Sequence, residues 1–111
     1  MKGFIQEGDV ITLIAPYAVA SGAGMLVGRV FGVAQTTVAI SVAVEAAIEG
    51  VFDLAKATGL AWTQGVLIYW DDTAKNCTTT VATNRLIGAA TNVSELAGAT
   101  SGRVYVDGAV R

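Results

Sequence analysis

Short apolar runs, rich in β-branched residues and separated by glycine, recur along the whole chain. Several alternate with a period of two, most clearly in residues 36–49, where valine and isoleucine stand at even spacing. Such a period is typical of a pleated strand with one buried face. The pattern predicts strands at residues 9–15, 25–34, 36–49, 50–54, 65–70, 77–82, 85–91 and 102–110.

Two segments fit the strand pattern less well. Residues 54–64 are predicted to hold a helical turn that ends at Gly59 or Gly65, and residues 92–100 another, with Ser94 or Asn92 as its cap. No linker, charge block or internal repeat divides the chain. The sequence therefore predicts one mainly β domain over residues 1–111, a compact β-sandwich or barrel-like domain of short strands with at most two short helices.

Residues 64–80, QGVLIYWDDTAKNCTTT, hold the densest group of aromatic, acidic and thiol side chains. Their pattern predicts a hairpin. The run VLIYW predicts a strand buried on both faces, because it is continuously apolar. The run CTTTVA predicts the antiparallel partner strand, with Cys77, Thr79 and Val81 on one face.

The run DDTAKN between these strands predicts the turn of the hairpin. Asp71 can accept a hydrogen bond from the backbone two residues on, and Asn76 tolerates a positive φ. We therefore interpret five residues as turn or core structure: Phe52, Tyr69, Trp70, Asp71 and Asn76.

An acid pair or a calcium site at Asp71 and Asp72 is the alternative interpretation. Adjacent strand residues point to opposite faces, so two neighbouring carboxylates converge poorly. Cys77 has no neighbour that would lower its pKa, and we expect a small buried apolar side chain there. The corresponding alternative function is a small ligand-binding barrel or an enzyme that uses Asp71, Asp72, Glu45 and Glu49.

The composition removes most catalytic classes. The chain has no histidine, the commonest general base and metal ligand, and only one cysteine. It has no G-x-x-x-x-G-K-[ST] loop for nucleotide phosphates. The seven basic residues are scattered and the net charge is -2, whereas nucleic-acid binding needs clustered positive charge. We predict no catalytic residue, no cofactor, no metal and no nucleic-acid partner.

The chain is unusually apolar for its size, with 53% hydrophobic and only 14% charged residues and a mean hydropathy of +0.57. We expect other chains to cover part of this apolar surface, in a homo-oligomer or at a large docking face. The longest uncharged run, residues 10–28, contains Pro16 and several glycines, so we expect no membrane-spanning helix and no membrane partner.

Six phrases occur in a fixed order along the chain: FIQEGDVITLIAP, GVAQTT, EGVFDLAKATG, VLIYWDDTAKNCTTT, LIGAAT and GRVYV. The series resembles a family of small tailed-phage and prophage proteins, encoded among head genes, that serve as capsid cement or decoration proteins. The family commonly has proline where this chain has Ala55, which bears on the rigidity of a turn. Members often carry a recombinase label, but the phosphate-binding loop of such ATPases is missing here.

The resemblance implies a β domain that oligomerises on the outside of a capsid shell and bridges neighbouring major capsid subunits. It implies no catalytic residues. We expect the protein to be made in the bacterial host cytoplasm and to lie on the virion capsid surface. We also expect a homo-oligomer, with a trimer favoured over a dimer. Another virion structural β module, of the tail or baseplate, is the alternative. We expect residues 1–8 to form an N-terminal arm whose capsid contacts are Lys2, Phe4, Ile5 and Gln6.

Overall fold

The computed structural model describes residues 10–92 and 94–108, which form eleven strands and no helix. The prediction of a mainly β fold is confirmed. No helix long and apolar enough to cross a membrane occurs in these two ranges. The strands are β1 (Val10–Ile14), β2 (Gly24–Val27), β3 (Val30–Ala34), β4 (Ala43–Ala47), β5 (Glu49–Ala55), β6 (Trp62–Thr63), β7 (Leu67–Asp71), β8 (Asn76–Thr78), β9 (Arg85–Ala90), β10 (Ser94–Glu95) and β11 (Ser101–Asp107).

Four strands form an antiparallel sheet in the order β1-β4-β3-β2, called here the four-stranded sheet. Strands β2 and β3 are joined by a two-residue turn, in which Gly28 has a φ of 61°. Glycine adopts this left-handed conformation without steric cost, and a two-residue hairpin turn requires it. The single strand predicted over residues 25–34 is therefore wrong, because the chain reverses at Gly28 and Arg29.

The strand predicted over residues 36–49 is also too long, since β4 begins only at Ala43. The chain first turns at residues 39–42, where the Val42 amide donates to the Ala39 carbonyl and Ser41 has a φ of 69°. Ile40 is 60% exposed, so its β-branched side chain does not face a core. Even spacing of valine and isoleucine predicted a pleat without showing where the backbone reverses.

Five strands form the second sheet in the order β5-β11-β9-β7-β8, called here the curled sheet. Its first and last strands meet, because Lys56, the residue directly after β5, forms a parallel bridge with Cys77 in β8. The amide of Ala57 donates to the Cys77 carbonyl at 2.8 Å. This curl gives the sheet a buried inner face and an open outer face, which agrees with the barrel-like form predicted from the sequence.

The helical turns predicted in residues 54–64 and 92–100 are absent from the described residues. These segments instead hold the short strands β6 and β10, which pair with each other. The amide of Lys56 donates to the Thr100 carbonyl and that of Gly59 to the Ala97 carbonyl, both at 2.9 Å. Because the backbone groups bond between the two segments, they are not available for a helix.

The main hydrophobic core joins the two sheets. Phe31 and Val33 of the four-stranded sheet belong to the same buried cluster as Ile68 and Trp70 of the curled sheet. The rings of Phe31 and Trp70 pack at a centroid distance of 5.0 Å and a tilt of 54°, a favourable aromatic geometry. A second cluster packs the four-stranded sheet against its own loops and comprises Ala15, Val19, Met25, Ala34, Val44 and Ala46.

Candidate functional site

The hairpin formed by β7 and β8 ends in a turn that Asp71 organises. Its Oδ1 accepts hydrogen bonds from the amides of Thr73 at 3.0 Å and Ala74 at 3.1 Å. The amide of Lys75 donates to the Asp71 carbonyl at 2.7 Å. The positive φ falls on Lys75, at 60°, rather than on Asn76 as expected, because Asn76 is already paired with Asp71 in the ladder.

Strand β7 is buried on one face only, so the expectation of burial on both faces is wrong. Ile68 and Trp70 are buried, whereas Leu67 is 52% exposed and Tyr69 is half-buried. The alternation arises because nothing in the described residues covers the outer face of the curled sheet there. Strand β8 ends at Thr78, so Thr79 and Val81, which we expected on one face with Cys77, lie beyond it. The exposed Val81 therefore does not share the environment of buried Cys77.

Asp72 connects this turn to the four-stranded sheet. Its Oδ1 accepts one hydrogen bond from Trp70 Nε1 at 3.0 Å and another from the Tyr17 hydroxyl at 2.9 Å. The Tyr17 oxygen in turn accepts a hydrogen bond from the Leu26 amide at 3.2 Å. The Asp72 carboxylate thus joins its own hairpin to Tyr17, and Tyr17 joins it in turn to Leu26 of the four-stranded sheet.

Lys75 completes this cluster electrostatically. Its Nζ lies 3.7 Å from Asp72 Oδ1 and 4.2 Å from the centroid of the Tyr17 ring. The same Nζ donates a hydrogen bond to the Asp72 backbone carbonyl. Burial, followed by the hydrogen bond to Asp72, raises the pKa of Tyr17 to about 12. The phenol therefore stays protonated near neutral pH and acts as a hydrogen-bond donor to Asp72.

The two aspartates and the thiol of this hairpin have separate environments. Asp71 is bonded to its own turn and Asp72 to Tyr17 and Trp70, so the two carboxylates serve different partners. No cluster of three or more potential metal ligands occurs in residues 10–92 and 94–108. Burial raises the pKa of the Cys77 thiol to about 12, which leaves it protonated and unreactive near neutral pH.

The other two acids of the enzyme alternative lie elsewhere. Glu45 is on β4 in the four-stranded sheet, where it accepts a hydrogen bond from Thr12 Oγ1 at 2.6 Å. Glu49 begins β5 in the curled sheet, directly opposite Asp107 of β11. A groove of about 440 Å³ lies near the Asp72 cluster, but its lining is mostly the small residues of 18–24. Neither acid lines that groove.

The outer face of the curled sheet carries the most regular exposed apolar feature. Val51 pairs with Tyr105, Tyr105 with Ala89, and Ala89 with Leu67, so the four side chains form one row across four strands. Val51 is 54% exposed and Tyr105 is 42% exposed. We call Val51, Tyr105, Ala89 and Leu67 the apolar row. Three of its four side chains, Val51, Tyr105 and Leu67, are large apolar groups exposed to solvent.

Charged residues border the apolar row on both sides. Glu49 and Asp107 form the pair on one side, and Asp53 and Arg103 form the pair on the other. Arg103 Nε lies 3.3 Å from Asp53 Oδ1. An apolar centre edged by charged groups is the usual arrangement of a protein–protein interface.

Of the residues singled out from the sequence, Asp71, Asp72 and Asn76 line one open groove of about 540 Å³ beside the hairpin turn, whereas Glu45 and Glu49 do not line it. Lys2, Phe4, Ile5 and Gln6, the expected capsid contacts, lie outside the described residues. Phe52 packs half-buried against the main core cluster. The sequence did not predict the contact of Tyr17 with Asp72, because the two residues are 55 positions apart and no short-range pattern connects them. It also missed the apolar row, which exists only through the register of four strands.

Comparison with known proteins identifies the family. The family model for phage cement proteins matches residues 5–107, which is nearly the whole chain. No curated protein and no solved structure matches the chain. The match includes all the strands described above. The chain therefore belongs to the phage cement protein family, whose role implies association with the virion capsid.

Proposed function

We propose that the chain binds the outer surface of a phage capsid and stabilises the shell by bridging neighbouring major capsid subunits. The observation that carries this proposal is the match to phage cement proteins over residues 5–107. A protein that binds only the assembled lattice shifts the equilibrium toward that lattice. Repetition of the contact over the shell adds avidity to individually modest interactions.

The protein acts by binding and carries out no chemical step. The engagement of Asp71 and Asp72 in structural hydrogen bonds supports this part of the proposal. So does the raised pKa of the buried Cys77 thiol. The chain is made in the bacterial host cytoplasm and acts on the capsid surface.

The active form is a homo-oligomer, and a trimer is favoured over a dimer. The exposed apolar row supports this assembly, because large apolar side chains in register favour contact with another protein surface. A trimer fits the local threefold positions of a capsid lattice, where a symmetric clamp touches several subunits at once.

Residues 1–8 reach the shell, with Lys2, Phe4, Ile5 and Gln6 as the contacts. Two features support this assignment. The segment carries the adjacent apolar residues Phe4 and Ile5. It also precedes β1, an edge strand of the four-stranded sheet, so an extended segment there could add to a sheet edge of the capsid protein.

The test uses expanded capsids that lack the cement protein. The full chain and a variant without residues 1–7 are mixed with these capsids and sedimented together. The full chain is expected to co-sediment with the capsids and to raise the temperature at which they break open. The truncated chain is expected to remain an intact oligomer but to bind the capsids more weakly. Failure of the full chain to bind capsids, or binding to tails alone, would contradict the proposal.

A further inference from the structure

The open groove of about 540 Å³ beside the β7–β8 turn is formed before any ligand arrives. One wall is the turn, which Asp71 Oδ1 holds through two backbone amides. The other wall is the loop from β8 to β9, in which the Thr80 amide donates to Thr78 Oγ1 at 3.1 Å and Asn84 Nδ2 donates to the Thr80 carbonyl at 3.0 Å. Its volume lies within the range of roughly 300–1,000 Å³ that is usual for small-molecule sites.

The register of the hairpin places the polar side chains of this groove on one face. Asp71 pairs with Asn76, and Tyr69 pairs with Thr78. Because side chains alternate along a strand, these four residues share the outer face of the curled sheet, whereas Cys77 points into the core. Tyr69 therefore places an aromatic ring beside Thr78, which lines the groove.

Several polar groups of the lining make no hydrogen bond to another described residue. They are the side-chain amide of Asn76 and the hydroxyls of Thr73, Thr80 and Thr83. An amide group and a hydroxyl group each both donate and accept hydrogen bonds. They match a ligand whose own groups do the same, as the hydroxyls of a sugar do.

The charge of the groove disfavours other classes of ligand. Its described lining includes two carboxylates, those of Asp71 and Asp72, and no lysine or arginine, so it does not attract phosphate or sulfate. Lys75 Nζ lies 3.7 Å from Asp72 Oδ1 and offsets part of the negative charge. The apolar residues of the described lining are alanines, which offer little surface to a hydrophobic ligand.

We propose that this groove binds a neutral carbohydrate. Asp71 Oδ2 accepts hydrogen bonds from sugar hydroxyls, Asn76 and the threonines bond further hydroxyls, and the Tyr69 ring packs against the apolar face of the sugar. Water competes for every bond in an open groove, so one site binds weakly, with a dissociation constant on the order of 1 mM. On a capsid the repeated copies add avidity, and only this last step rests on the proposed function.

The test is an NMR titration of the full, ¹⁵N-labelled chain with the methyl glycosides of glucose, galactose, mannose and N-acetylglucosamine. At least one glycoside is expected to shift the amide signals of residues 71–84 in a saturable manner. Asn76→Ala and Thr83→Val are each expected to raise its dissociation constant about threefold or more. Thr63→Val is the matched control, because Thr63 is an exposed threonine on β6 outside the groove, and it is expected to leave binding unchanged.

Two results overturn the inference. The first is that none of the four glycosides moves these signals, including the case in which calcium chloride or spermidine moves them instead. The second is that Asn76→Ala and Thr83→Val bind the glycoside as the wild type does. Circular dichroism checks the fold of each variant, and Thr83→Val, an exposed loop substitution, keeps the test valid if Asn76→Ala misfolds.

A trisaccharide of the same sugar distinguishes two sources of the ligand. Tighter binding of the trisaccharide than of the methyl glycoside identifies a polysaccharide, and equal binding identifies a free sugar, and both results uphold the carbohydrate site. The titration uses no capsids, so its failure leaves the proposed function untouched. Failure of the chain to bind capsids would likewise leave the carbohydrate site standing.

Discussion

Tyr17 and Asp72 are separated by 55 positions in the chain and joined by a hydrogen bond of 2.9 Å. This bond connects the loop after β1 to the turn after β7, and thereby the four-stranded sheet to the curled sheet. Asp72 also accepts from the buried Trp70 indole. The carboxylate that first suggested an active site is thus a structural acceptor between two sheets.

Replacing Tyr17 with Phe removes the hydroxyl from this clamp. We expect the free energy of unfolding to fall by about 1–3 kcal/mol, because Asp72 loses one donor and the Leu26 amide loses its acceptor. Urea denaturation measures the change. Tyr69→Phe is the control, since no hydrogen bond of its hydroxyl occurs among the described residues, and a change of equal size there would contradict the role of Tyr17.

Replacing Trp70 with Ala removes the aromatic ring that packs against Phe31 in the shared core. We expect a loss of about 3–5 kcal/mol, the usual range for truncating a buried aromatic residue. Leu67→Ala is a control on the same strand, because Leu67 points outward and is 52% exposed. Denaturation of the monomeric or fully dissociated chain should show the larger effect at Trp70, and similar losses at both positions would be inconsistent with the assigned faces of β7.

Gly102 lies where the Trp62 ring packs on β11. A Cβ at position 102 would overlap that ring, so Gly102→Ala is expected to destabilise the fold by about 1–3 kcal/mol through overpacking. Gly98→Ala is the matched control, because a Cβ there meets no atom within 4 Å. Thermal denaturation distinguishes the two, and equal melting temperatures for both variants would show that Trp62 is placed elsewhere.

Stability is expected to fall at alkaline pH. Burial raises the pKa of Cys77 from 9.0 to about 12, and burial with the bond to Asp72 raises the pKa of Tyr17 from 10.0 to about 12. The folded state therefore holds both protons more tightly than the unfolded state. Their stabilising contribution is complete below about pH 9 and is lost as the pH rises toward about 12.

Urea denaturation across that alkaline range measures the effect. Cys77→Ala removes one of the two groups, so its stability should depend less steeply on pH than that of the wild type, whatever its stability near neutral pH. Identical pH dependence in the two proteins would contradict the assigned environment of the thiol.

The strand content of this fold follows from local patterns in the sequence. Glycine-bounded runs predicted the β elements, and the DDTAKN stretch predicted the turn between β7 and β8, because Asp71 bonds its own backbone within three residues. The local sequence pattern gave wrong strand boundaries where the chain reverses without a glycine or proline to mark the turn. Ser41 adopts a positive φ in a turn that contains neither glycine nor proline. The strand predicted over residues 36–49 is therefore longer than the observed β4.

The features that define the surfaces are not local and could not be predicted. The apolar row depends on the register of four strands, which sets Tyr105 between Val51 and Ala89. Lys56 is another example, since a lysine is expected at the surface but is only 4% exposed here. Its Nζ donates to the Ala97 carbonyl at 3.5 Å and lies 5.5 Å from the centroid of the Trp62 ring, and the Ala97 carbonyl, 41 positions away, is a partner only once the chain has folded.

The proposed function of this chain is to bind the outer capsid surface and bridge major capsid subunits. Electron cryomicroscopy of capsids reconstituted with and without the chain tests it most directly. We expect additional density on the outside of the shell, at local threefold positions, with each bound copy touching more than one capsid subunit. Density confined to the tail or baseplate, or a shell identical in the two preparations, would contradict it.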